Sequence, residues 1–295
     1  MFESFETHSI QLPEGKIFLR AGGKGQGLLL LHGYPQTHVC WHAVAPELSK
    51  RFFVVVPDLP GYGMSEICVS NRDQSAYSKR SMAAILAELM NRFDQSTFHV
   101  VGHDRGARVG YRMCLDYGDR VASFASLDVL PTIHMWDTLD RIRAFGAFHW
   151  TFLAQPSPLP ETLINANPDY FHRHLMESWA APGFEFNPCA MKAYLEAMRD
   201  EKVIRSSCED YRAGIGIDVE HDTADFKAGN KIRCPLSFLW GAKRSVGGPS
   251  PGKHPREVWQ QWCLSKVTGG PLDCGHFLPE EKPKELIKEL LCFLP

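Results

Sequence analysis

What this sequence lacks narrows it first. No apolar run approaches the roughly 20 residues that span a bilayer, so a membrane span is not expected. Charge of one sign is missing too. The 32 basic and 34 acidic residues give a formal charge of −2, with no long block of either sign. Nucleic acid and acidic membrane surfaces are therefore not expected as partners. The nine cysteines include no C-x-x-C pair. An odd count without clustered spacing points to free thiols in a reducing compartment, not to a disulfide frame or zinc site. The opening stretch MFESFETHSIQL lacks the basic-then-apolar pattern of a signal peptide. A cytoplasmic, unanchored protein is the expectation. Repeats and low-complexity stretches are also absent.

What is there suits a globular protein: 295 residues, 44% hydrophobic and 22% charged, enough for one α/β domain carrying an insertion. Short apolar runs at 27–33, 51–61, 96–104 and 121–131 read as buried strands ending in turns. Between them, Met82, Ile85, Leu86, Leu89, Met90 and Phe93 recur at helical spacing, which predicts an amphipathic helix over 78–93. Alternation of this kind favours βαβ units and a mostly parallel sheet. From about Pro131 to Asn230 strand runs give way to short helical segments such as PDYFHRHLMESW. Strand character returns at KIRCPLSFLWG, and EEKPKELIKELLCFL closes the chain as a helix. The expected organisation is a core of residues 1–130 and 231–295, interrupted by a helical cap over 131–230. Such an insertion would lie over the carboxyl ends of the strands, where open α/β sheets bind ligands.

The stretch HVVGHDRGARVG, residues 99–110, concentrates the chemistry. α/β hydrolases commonly carry a G-x-S-x-G turn whose serine is thrust into a cavity; here both glycines remain and Asp104 replaces the serine. Asp104 has an ordinary reading as a helix N-cap and a chemical one as a nucleophile that forms a covalent ester. Arg105 and Arg108 follow in the first helical turn, where the helix dipole disfavours cations. One of them suits a salt bridge; two suggest a fork for a substrate carboxylate, which would also offset repulsion between that carboxylate and Asp104. His276, in DCGHFLPEE, follows Asp104 at a distance and stands on a turn, in the order nucleophile, acid, histidine. For the acid, the loop after LSFLWG holds no carboxylate as far as Lys253. That leaves Asp128, at the end of SFASLDVLP, to orient His276 unless it merely caps a turn. The loop His32-Gly33-Tyr34-Pro35 follows a buried strand and is placed to aim backbone N–H groups at developing negative charge.

With these residues assembled, the chain resembles the haloacetate dehalogenases, most closely the fluoroacetate dehalogenases, of the α/β-hydrolase superfamily. The motifs are HGYPQTH, DLPGYG, GHDRGARV, LDVLPT, FHWTFLAQPSPLPE, CEDYRAG and CGHFLPEE, spread over most of the chain. The resemblance implies Asp104 as nucleophile, His276 as base and Asp128 as acid, with Arg105 and Arg108 on the substrate carboxylate. It also implies a halide pocket lined by His149, Trp150 and Tyr211, whose imidazole, indole and phenol groups are all donors. Trp179 would wall the pocket and Tyr34, where Phe is common, would line it. A small anionic haloacetate is the implied substrate and a homodimer a possible assembly. The chemistry requires neither metal nor cofactor. Halide preference stays open, and the loop 242–255 matches nothing usable.

Two rival readings follow from the same residues. Epoxide hydrolysis uses an Asp–His–Asp set too, but it normally needs two tyrosines in the insertion; Tyr211 is one candidate, with Tyr170 or Tyr194 as the second. A ligand receptor built on a hydrolase scaffold is the non-enzymatic alternative, against which the intact Asp104, Asp128 and His276 set speaks.

Overall fold

The computed structural model describes residues 1–68, 74–243 and 254–295. Eight strands make one sheet: β1 (Glu6–Leu12), β2 (Gly15–Gly23), β3 (Gly27–Leu31), β4 (Phe53–Pro57), β5 (Phe98–His103), β6 (Val121–Leu127), β7 (Leu236–Gly241) and β8 (Pro271–Leu272). Their order across the sheet is β1-β2-β4-β3-β5-β6-β7-β8. β1 and β2 pair antiparallel, as do β2 and β4, while all later pairings are parallel. This is the mostly parallel sheet of an α/β-hydrolase fold. The two antiparallel strands are an addition to the expected set, because β1 alternates exposed and half-buried residues and has no apolar run to mark it.

Composition explains the sheet centre. Leu28 to Leu31 and Val100 to Val101 are fully buried, as expected of strands covered on both faces by helices. One of those covers is the helix Lys79–Asn91, capped by Ser78, whose hydroxyl accepts the Ser81 N–H. Its buried Met82, Ile85, Leu86, Leu89 and Met90 are the residues whose spacing predicted the element. The closing helix is split into Leu278–Glu281 and Pro283–Phe293, since Pro283 has no N–H to continue the first turn.

Between β6 and β7 the described chain forms eight helices, from Thr132–Asp137 to Ile217–Ala228. β6 and β7 are nevertheless parallel sheet neighbours, so this whole excursion leaves at the carboxyl end of β6 and re-enters at the amino end of the adjacent strand. Parallel registers bring Leu31 beside Gly102, His103 beside Leu127, and Leu127 beside Leu239. The loops that follow β3, β5, β6 and β7 therefore emerge side by side. No helix among the described residues is long and apolar enough to cross a membrane.

Candidate active site

Those adjacent loops carry the residues singled out by sequence. Asp104 follows β5 with φ 48° and ψ −117°, a strained backbone for a residue with a side chain. The turn survives because its flanking glycines leave room. A Cβ on Gly102 would stand 2.6 Å from Ala107 Cα, and one on Gly106 would stand 2.6 Å from the Leu31 carbonyl oxygen. The side chain makes no N-cap hydrogen bond, so capping does not explain the aspartate. Its Oδ1 instead accepts the Tyr34 backbone N–H at 2.8 Å. Its Oδ2 lies 3.8 Å from His276 Nε2.

Asp128 leaves β6 on a second left-handed residue, φ 56°. Its Oδ1 accepts the Gly241 N–H at 3.0 Å and its Oδ2 accepts from His276 Nδ1 at 2.6 Å. With the proton on Nδ1, the unpartnered Nε2 of His276 presents its lone pair toward Asp104. Burial works against a charged His276, but the Asp128 hydrogen bond and the charges of Asp128 and Asp104 outweigh it and raise the pKa above 6.5. Asp104 is held below the usual carboxylate range, because His276, His103, Arg105 and Arg108 together overcome its burial.

The two arginines are divided by the structure. Arg105 gives Nε and Nη2 to the Asp210 carboxylate, both at 2.7 Å, and Nη2 also to the Asp210 carbonyl at 2.8 Å. Asp210 also binds Lys79 and accepts the Tyr62 hydroxyl at 2.6 Å. Lys79 in turn reaches Asp218 at 3.0 Å. Arg105 is thus anchored along one edge by an acid, whereas its neighbour keeps less company. Arg108 donates from Nη1 to the Leu130 carbonyl at 3.2 Å and to Thr132 Oγ1 at 2.9 Å. Its guanidinium lies 4.5 Å from the centre of the Trp150 ring. Among the described residues this buried cation has no ion pair, and burial together with Arg105 lowers its pKa. The difference arises on the helix Glu201–Ile215, which supplies Asp210 beside Arg105 and offers no acid to Arg108.

Helical-segment aromatics enclose the carboxylate. His149 lies tilted against Trp179 at 4.4 Å and meets Tyr211 edge-on at 5.8 Å; Tyr211 meets Trp150 at 6.4 Å, and Trp179 meets His276 at 5.7 Å between ring centres. Arg105 covers the Tyr211 ring at 4.2 Å. Burial lowers the His149 pKa to about 3, so its ring is neutral, and its Nδ1 has no partner. Burial raises the Tyr211 hydroxyl well above its ordinary value. Tyr34 packs edge-on to Tyr211 at 5.5 Å, with its own hydroxyl buried and unpartnered. The other tyrosine candidates lie elsewhere: Tyr170 is 68% exposed, and Tyr194 donates to Glu280. Asp104, Asp128 and His276 are 6%, 0% and 0% exposed, so almost none of the three reaches solvent. Among the described residues, no group of His, Cys, Asp and Glu is placed to hold a metal.

Residues 27–181 match the α/β-hydrolase fold family. A fluoroacetate dehalogenase of Burkholderia sp is 40% identical over 295 residues, covering 100% of this chain and 95% of that protein. The chain belongs to the haloacetate dehalogenase family of the α/β-hydrolase superfamily. Dehalogenases of this family are hydrolases acting on carbon–halide bonds. A soluble epoxide hydrolase of Corynebacterium sp. (strain C12) is 30% identical, over 92% of this chain and 91% of that protein. An α/β hydrolase from Nostoc sp PCC 7120 superposes with a TM-score of 0.95 at 45% identity, covering 100% of this chain and 99% of that one.

Against this dehalogenase background, the contacts of three residues escaped the sequence. Asp210 lies in CEDYRAG beside Tyr211 but announces no partner, because Arg105 is 105 residues away. His103 donates from Nε2 to the His276 carbonyl at 2.7 Å. His32 donates from Nδ1 to the Gly33 carbonyl at 3.0 Å and accepts the Leu59 N–H on Nε2 at 2.9 Å, bracing the H-G-Y-P loop against DLPGYG. The loop 242–255 falls mostly outside the described residues.

Proposed function

We propose that this dehalogenase hydrolyses haloacetates, fluoroacetate among them, to 2-hydroxyacid and halide. The observation that carries the reading is Arg108, a buried guanidinium with no carboxylate partner among the described residues, near the nucleophile candidate. A buried cation left unpaired is costly unless a ligand supplies the counter-charge.

In the first step Asp104 attacks the halogen-bearing carbon through Oδ2. A C–O bond forms as the carbon–halogen bond breaks, and the halide leaves with the bonding pair. His149, Trp150 and Tyr211 offer N–H and O–H groups to the departing ion in a site that excludes water. Fluoride is small and strongly hydrated, so converging donors matter most for it. Arg108, with the remaining Nη1 of Arg105, holds the substrate carboxylate. The helical segment acts as the lid. In the second step His276 Nε2 takes a proton from water, which attacks Cγ of the Asp104 ester, and the Tyr34 N–H meets the charge on Oδ1. The Cγ–Oδ2 bond then breaks, the 2-hydroxyacid leaves with Oδ2 and the proton held by His276, and Asp104 is restored carrying the water oxygen, its own proton lost to solvent. Ester formation removes the Asp104 charge that helped raise the pKa of His276, so the imidazole is more readily neutral when it must act as base.

Fluoride release from fluoroacetate, read with an ion electrode, is the direct test. A single turnover in heavy-oxygen water should give a first product carrying ordinary oxygen from Asp104; label wholly in that product would remove the ester. A second reading, epoxide hydrolysis, is favoured by the Tyr34–Tyr211 pair beside Asp104. Diol formation from styrene oxide without fluoride release would select it.

The proposed base also sets the pH profile. The neutral His276 works, so kcat for ester hydrolysis rises with pH as that histidine loses its proton, Asp128 still favouring the charged form in the ester. Asp128→Asn removes the hydrogen-bonded charge that raises it, and the acid limb of the kcat profile is expected at lower pH in that variant. A limb left in place would detach Asp128 from His276.

A further inference from the structure

Glu281, the last residue of CGHFLPEE and given no role above, makes three backbone contacts around the proposed base. Its Oε2 accepts the N–H of Gly275 at 2.7 Å and of Ala181 at 2.9 Å; its Oε1 accepts the N–H of Phe277 at 2.8 Å. The two residues flanking His276 thus hang from one carboxylate. The histidine's own N–H goes to the Trp179 carbonyl at 3.0 Å, and its carbonyl accepts from His103. The N–H groups of residues 275–277 and the His276 carbonyl are thus all engaged. The same carboxylate ties in Ala181, two residues past Trp179, and the two backbones approach so closely that a Cβ on Gly275 would stand 2.6 Å from the Ala180 carbonyl carbon.

We propose that Glu281 is a positioning residue for the hydrolytic half-reaction: it fixes His276 and fastens the Trp179–Ala181 corner of the helical segment to the histidine loop. This rests on the reading of Asp104 as nucleophile and His276 as base. Charge-assisted bonds from a carboxylate to backbone N–H groups are the strong class of hydrogen bond. Misplacing a base by about an ångström costs on the order of 100-fold. Because His276 acts on water and not in the displacement, loss of Glu281 should separate the two steps. The charged and titratable groups facing His276 are Asp128 after β6, Asp104 and His103 at the elbow, His149 from the helical segment, and Glu281 itself. Of these, Asp128, Asp104 and Glu281 favour the imidazolium.

The test is rapid-quench fluoride release from fluoroacetate by the full chain, comparing wild type with Glu281→Gln and Glu281→Ala. Expected are first-turnover fluoride near one equivalent per protein, steady-state turnover down about 10- to 100-fold, and an added mass on the Asp104 peptide. The acid limb of turnover should also move to lower pH. First-turnover fluoride counts folded sites, so a variant that merely misfolds loses both phases together. Equal loss of both phases, or loss of neither, overturns the proposal. If His276→Asn in the otherwise unchanged protein forms no adduct, the underlying reading fails instead, and the two failures are told apart.

Discussion

His276→Asn is expected to stop steady-state fluoride release while leaving the first displacement intact. General-base assistance is worth about 10²- to 10⁴-fold, and here the whole of it falls on ester hydrolysis. Displacement by Asp104 takes no proton from or to the histidine. Asp104 is kept ionised by several cations and histidines, with Arg105 and Arg108 among them, so losing one of those neighbours does not neutralise it. The ester should therefore accumulate and appear as added mass on the Asp104 peptide after brief exposure to fluoroacetate. Asp104→Asn is the companion, expected to give neither fluoride nor adduct. The Asn amide cannot leave a free carboxylate oxygen to attack, although the Tyr34 N–H still finds its carbonyl. An unmodified His276→Asn protein under saturating substrate would remove the imidazole from the base role.

Arg108→Met should separate function from stability in the opposite sense. Truncating a buried charge that pairs with a ligand costs about 2–5 kcal/mol of binding, so kcat/KM for fluoroacetate should fall by roughly 30- to 5,000-fold. The free protein should lose little stability, and its Tm should hold or rise. In that state Arg108 bonds only to a neutral carbonyl and a hydroxyl, its Nε is unpartnered, and its pKa is lowered by burial and by Arg105. A lowered folded-state pKa means that the charged form costs folding free energy at every pH below it, and methionine fills much of the same volume without that charge. Arg105→Met should do the reverse. It leaves Asp210 and Asp218 with Lys79 alone in a buried cluster, and breaking such a pair typically costs about 3–5 kcal/mol. Asp210 is held far below the usual carboxylate range because Arg105 and Lys79 overcome its burial, so that stability is present above the unfolded aspartate pKa and fades as pH falls toward the folded one. Thermal melts of both variants with and without a small carboxylate would read the contrast. Equal Tm losses would mean that Arg108 is a structural arginine like its neighbour.

These expectations lean unequally on chain and fold. The sheet centre, the helix Lys79–Asn91 and the elbow were readable because burial on both faces, helical periodicity and a glycine-flanked turn each leave a local mark. β1, an edge strand of mixed exposure, and β2, which alternates buried and half-buried residues, were missed because neither has a continuous apolar run. Asp104 and His276 stood out as candidates by order and spacing, and Asp128 because the loop after LSFLWG holds no carboxylate as far as Lys253. His149, Trp150 and Tyr211 came only with the family resemblance, since a buried aromatic in a helix looks the same whether it fills a core or faces a ligand.

The chain alone determined which chemical groups are available: a carboxylate on the turn, a histidine far downstream, two guanidiniums three residues apart. Folding decided their company. Asp210 lies 105 residues from Arg105 and Glu281 lies 100 from Ala181, and no local pattern records a pairing across such distances. Which arginine is neutralised, and how the base is held, depends on what the sheet and helices bring within a few ångströms. A charge–charge contact falls away over that range, and sequence separation says nothing about it.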